Sequence, residues 1–194
     1  MGKELSRMTN EELWQLFPII LREHDPSWPG KYSSEKQNIV RIIGNKNIAR
    51  ISHIGSTSVP GLFAKPTIDI LVEVTDDCDT EKLIGGMTSG GYIYSPKPEN
   101  PPPHMMFLKG YTPEGFKGQA FHVHVRYFGD WGELYFRDYL KDHKSVSDEY
   151  AALKAQLIKT YEHDRDGYTD AKTDFINRYT ALARSEYGGR YSIE

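Results

Sequence analysis

Cysteine is almost missing from this chain. Cys78 is the single thiol among 194 residues, set in the polar stretch TDDCDTE. One cysteine cannot close an internal disulfide, so a disulfide-stapled scaffold is excluded and a reducing, cytoplasmic setting is expected. Its neighbours Asp76, Asp77 and Asp79 push a thiol pKa up rather than down, which argues against a catalytic thiolate. Long apolar runs are also missing. No stretch approaches the roughly 18 apolar residues of a membrane span, and the opening MGKELSRMTNEELWQLF has no apolar leader core and reads as a helix. No membrane partner is expected. Nor is positive charge in excess: 24 Lys and Arg stand against 27 Asp and Glu, a net charge of -3, so extensive nucleic-acid binding is not expected. Proline is dense only in SPKPENPPPH, residues 95–104, which is too short to separate domains and reads as a surface loop. No internal repeat is visible.

What is present fits one domain with a real core, covering residues 1–194. Thr9 and Glu12 form a capping-box pattern ahead of Leu13, Leu16, Phe17 and Ile20, which predicts a first helix over residues 9–21. HDPSWPG breaks it, and Ser33 or Ser34 is the expected cap of a second helix ending at Gly44-Asn45. Strands are expected at residues 48–54, 67–74, 92–94, 105–109 and 121–128, with a turn-rich connection at 111–119. Helices are expected at 80–90, 134–142, 146–161 and 170–184, and a loose tail at 185–194. The fold class is therefore α/β or α+β: a mixed sheet flanked by helices, with a helical C-terminal layer.

Between the first two strands lies HIGSTSVPGLFAKPTIDILVEV, residues 53–74. Gly55 allows close approach to the backbone, Ser56, Thr57 and Ser58 are good N-cap residues, and Pro60 suits an early helical position. A short helix starting near Ser56 would present N–H groups to a phosphate, with Lys65 as a nearby cation. Asp69 sits inside an apolar strand, where a carboxylate needs a metal, a lysine or a structural partner. The plainer reading is a capped turn with Asp69 paired to Lys65 or Arg126.

A second cluster is FHVHVRYF. His122 and His124 share one face of a strand roughly 7 Å apart, with Arg126 continuing that face. Two such imidazoles can join a metal site or contact phosphate, and they suit Zn²⁺ or a transition metal better than Mg²⁺; spacing alone slightly favours two partly buried histidines hydrogen-bonded within the sheet. Among the helical charges most read as solvated faces. Arg137, inside YFRDY, could pair with Asp138 against the sheet, and Lys172 could contact a phosphate.

Together HDPSW, HIGSTSVPGLFAKPTIDILVEV, FHVHV, FRDYLKDH, EYAALK and DRDGYTDAKTDFI resemble the GrpB family, also called UPF0157, over a core of about residues 24–176. The resemblance implies a nucleotidyltransferase-superfamily fold. In it Gly55 and Ser56, with Thr57 and Ser58, form the phosphate turn and Asp69 is the first metal carboxylate. His122 and His124 would be metal ligands or acid/base groups, while Lys65, Arg126, Arg137 and Lys172 would neutralise phosphate. A small phosphorylated ligand or nucleotide is the implied partner and a divalent metal (Mg²⁺ or Mn²⁺, or Zn²⁺ if the histidines ligate) the implied cofactor. The superfamily's second acid is replaced here by Leu71. Glu73 shares Asp69's face but lies about 13 Å along the strand, too far to share an ion. Three functions follow: a nucleotidyltransferase-like enzyme, a non-catalytic nucleotide or cofactor binder, and a protein-interaction domain using residues 95–104 and the many tyrosines.

Overall fold

A computed structural model describes residues 3–96, 100 and 103–192. Part of the proline-rich loop, residues 97–99, 101 and 102, lies outside the described residues, and so does that part of the interaction surface expected there.

Five strands form one sheet in the order β1-β2-β5-β4-β3. They are β1 Ile48–Ile54, β2 Thr67–Val74, β3 Ile93–Ser95, β4 Met105–Thr112 and β5 Gly115–Tyr127. Only β2 and β5 run parallel, in register from Thr67 against Ala120 to Val74 against Tyr127; the other pairs are antiparallel. β2 lies inside the sheet, between β1 and the central β5, and is almost wholly buried, as its β-branched run predicts. The connection expected at 111–119 is mostly strand, since β4 and β5 extend to meet at Thr112 and Gly115. Gly110, at φ +87, sits where their register shifts, and a Cβ there would run into the Gln119 backbone. A bulge of this kind re-aims the side chains that follow it.

The helices are α1 Asn10–Leu16, α2 Trp28–Ile43, α3 Thr80–Ser89, α4 Gly132–Asp142, α5 Lys144–Tyr161, α6 Arg165–Asp170 and α7 Thr173–Tyr187. The capping box at Thr9 and Glu12 is present, but α1 stops at Leu16, short of residue 21. α2 begins at Trp28, ahead of the serines expected to cap it: Pro29 occupies its first turn, where a missing N–H costs nothing. Ser56–Ser58 is a single 3-10 turn and not the start of a helix; Val59 and Leu62 leave it to bury themselves against the C-terminal helices. The tail, expected to be loose, is held at Tyr191. Its ring packs edge-on against Tyr135 at 5.1 Å, and its hydroxyl accepts from Arg137 at 2.9 Å.

One face of the sheet packs on α2 and α3 through Ile39, Ile70, Val72, Met87, Val123 and Val125. A separate aromatic cluster of Tyr135, Phe136, Tyr139, Tyr150 and Tyr179 joins the C-terminal helices. The candidate site lies between the sheet's other face and this helical layer.

Candidate functional site

Asp69 on β2 stands opposite His122 on β5, because the two strands are parallel and in register. Period-two alternation brings His124 to the same face. The Asp69 Oδ1 lies 3.4 Å from His122 Nδ1 and 3.5 Å from His124 Nε2. One ligating atom from each of the three residues falls within 4.8 Å of the others. Burial works to raise the Asp69 pKa, but hydrogen bonds from both histidines outweigh it and hold the carboxyl far below the usual range. Burial pushes His122 down, partly offset by Asp69, which favours its neutral, ligating form. The hydroxyl of Tyr111, placed just after the Gly110 bulge, lies 2.7 Å from His122 Nε2. A partner on the second ring nitrogen fixes the orientation and tautomer of a ligating histidine, so Nδ1 is left to face Asp69.

Above this triad is a cavity of about 540 Å³ whose walls include Gly55, Ser56, Lys65, Lys154, Tyr168 and Lys172. Gly55 has φ +69, and a Cβ there would collide with the Asp69 carboxylate, so only glycine allows the turn to lie over it. Ser56 Oγ accepts from Lys154 Nζ at 3.0 Å, and Lys154 also donates to the Phe63 carbonyl. The Lys172 and Lys65 ammonium groups lie 4.2 and 5.5 Å from the centre of the Tyr168 ring. The Tyr168 hydroxyl is buried with no hydrogen-bond partner among the described residues. Among the described residues none of these three lysines joins an ion pair; the cavity's one acid paired in this way, Asp69, meets the two histidines. Burial, reinforced by the neighbouring cations, lowers Lys65 to about 8 and both Lys154 and Lys172 to about 7.

The cavity therefore gathers Gly55, Ser56, Lys65, Asp69, His122, His124 and Lys172 from the expected set. Four expected residues lie outside its walls. Thr57 Oγ1 is 3.0 Å from His53 Nε2 and donates to the Thr67 carbonyl, and Ser58 Oγ closes its own turn on the Gly55 carbonyl at 2.6 Å. Arg126 donates to the Met105 and Val125 carbonyls. Arg137 braces β1 to the tail, donating to the His53 carbonyl, Asp138 and Tyr191. Asp69 pairs with the histidines rather than with Lys65 or Arg126. Lys154 and Tyr111 were missed. Lys154 is 3% exposed, and the available signal was its place four residues after Tyr150, inside the apolar stripe of α5.

Leu71, two residues along β2 from Asp69, is fully buried with Ile54 and Leu134, so an apolar cluster and no second carboxylate stands there. Glu73 is also fully buried and closed off: Arg50 donates to it at 2.7 Å and the Gly129 N–H at 3.1 Å. A lone carboxylate with two imidazoles fits a borderline ion such as Zn²⁺ better than Mg²⁺, which prefers oxygen ligands.

The model of the GrpB family, described as GrpB protein, matches residues 18–182, and the chain belongs to that family. A UPF0157 protein of Pseudomonas aeruginosa is 36% identical over 161 residues, 82% of this chain and 65% of that protein, so this chain spans just under two thirds of that relative's length. A UPF0157 protein of Halalkalibacterium halodurans is 33% identical over 172 residues, 86% of this chain and 83% of that one. The crystal structure of conserved protein GrpB from Enterococcus faecalis matches with a TM-score of 0.75 at 30% identity, covering 87% of this chain and 99% of that one. No helix of the described residues is long and apolar enough to cross a membrane.

Proposed function

We propose that the cavity binds a nucleotide or another small phosphorylated ligand together with one divalent metal ion, on a fold like that of the nucleotidyltransferase superfamily. The observation that carries this reading is the pairing of Asp69, His122 and His124 with three unpaired lysines around a single space. Shielded cations without a paired acid are costly, and a phosphate group supplies negative charge to Lys65, Lys154 and Lys172. Ser56 Oγ and the Tyr168 hydroxyl are left to bond phosphate oxygens. Asp69, His122 and His124 would hold the metal, with Tyr111 fixing His122. When bound, the ion neutralises charge on the phosphate and polarises it.

Two-metal transfer chemistry needs more carboxylates than stand here. The buried Leu71 and the closed Arg50–Glu73 pair favour a second reading, a module that binds its phosphate ligand without transferring it.

Calorimetric titration with inorganic triphosphate, in EDTA and then with Mg²⁺, Mn²⁺ or Zn²⁺, tests the proposal. Tighter binding with metal, lost in Asp69→Asn, is the expected result. Metal-independent binding that survives Asp69→Asn would remove the metal and leave the binding module. No binding under any condition would overturn both.

A further inference from the structure

A second cavity, of about 440 Å³, adjoins the first. The two share Lys65 and Thr67 as walls. Their chemistry differs. The first is ringed by ammonium groups, imidazoles and a carboxylate; the second sets an apolar wall of Ile20, Trp28 and Phe116 beside a charged rim that includes Asp25, Lys31 and Arg165. Ile20 and Phe116 are 40% and 41% exposed, two of the few large apolar side chains left open to water, and both face this one space. Exposed apolar groups that converge on a concavity beside a charged site mark a ligand surface rather than scattered surface residues. The chambers are also tied together beneath Lys65. Arg165, in the wall of the second, has its guanidinium 3.5 Å from the Tyr111 hydroxyl, which in turn meets His122 in the first.

We propose that the second cavity holds the apolar body of an organic phosphate ester, whose anionic end lies among the lysines and the Asp69 triad. Lys65 marks the boundary and meets the phosphate nearest the ester bond. This rests on the phosphate reading of the first cavity and adds the class of ligand: a diphosphate carrying a compact ring or a branched alkyl body, not a bare inorganic polyphosphate.

The experiment compares inorganic pyrophosphate, adenosine diphosphate and isopentenyl diphosphate by calorimetry. It uses the wild-type chain, Ile20→Ser and Phe116→Leu, each checked for an unchanged thermal midpoint. At least one ester is expected to bind tenfold or more tightly than pyrophosphate, and the two esters tell a ring body from an alkyl one. Ile20→Ser is expected to erase that gain and leave pyrophosphate affinity unaltered. Esters that bind no better than pyrophosphate, or a gain that survives both substitutions, would overturn the two-chamber ligand while leaving the phosphate site intact. Failure of pyrophosphate and both esters alike would overturn the phosphate reading as well.

Discussion

Two groups of buried charge in this molecule are built on opposite terms. Towards the far end of β2, Arg50 and Glu73 close on each other, and the Gly129 backbone completes both. Glu35 does the same between α2 and the sheet, taking hydrogen bonds from Lys109 at 2.7 Å and from Tyr92. In the cavity, Lys65, Lys154 and Lys172 crowd together with no acid paired to them. Charges that satisfy one another hold elements in place. Charges with no acid beside them cost stability and, on the proposed reading, wait for an anion from outside.

The largest effect that would sharpen this contrast is on the closed pair. Arg50→Met strands the Glu73 carboxylate in the interior, and urea denaturation should show a loss of about 3–5 kcal/mol. A loss below about 1 kcal/mol would mean that the pair is not structural. The next effect is on the metal. Tyr111→Phe removes the hydroxyl beside His122 Nε2 and should weaken Zn²⁺ binding about 10-fold or more, read by competition with a chelating dye. Lys172→Met should then behave in the opposite sense to Arg50→Met. Its thermal midpoint should hold or rise, since an unpaired buried cation is gone, while triphosphate affinity falls about tenfold.

The smallest effect is that of pH. Lys154 and Lys172 are pushed to about 7 from the usual 10.5, so between those values the unfolded chain binds more protons than the native one. The stability they cost is therefore fully present below pH 7 and is relieved as pH climbs from 7 towards 10.5. Ligand binding has the reverse preference, because a phosphate needs the ammonium form. Triphosphate affinity should fall several-fold between pH 6.5 and 8.5, with protons taken up on binding. Calorimetry in buffers of different ionisation enthalpy checks this, and proton release would contradict it.

The sheet and most helices were legible in the chain because their periodicities are local. Thr9 and Glu12 announce α1, and TIDILVEV reads as a buried strand. The three triad residues were also legible, since alternation alone puts His122 and His124 on one face. The parallel registry that sets Asp69 opposite His122 depends on pairing across some fifty residues of chain and has no local sign. Lys154 was hidden for a similar reason. A lysine on a helix reads as solvated until the packing of α5 against the Ser56 turn is known. Arg137 failed in the other direction: its aromatic setting was visible, yet its partners, the His53 carbonyl and Tyr191, come from distant elements.

One feature of the sheet sets a measure for whatever these two chambers hold. Ala120 borders the apolar chamber, while His122 and His124, on the same face of β5, border the charged one. On β2, Thr67, paired with Ala120, is a wall of both chambers, and Asp69, paired with His122, borders the charged one alone. The distance between chambers is thus a count of residues along two hydrogen-bonded strands, roughly 7 Å from Ala120 to His122 and 13 Å to His124. Such a ruler cannot stretch. Inserting one residue would turn the histidines to the opposite face, whereas inserting two in both strands would keep every face and lengthen the accepted molecule by about 7 Å.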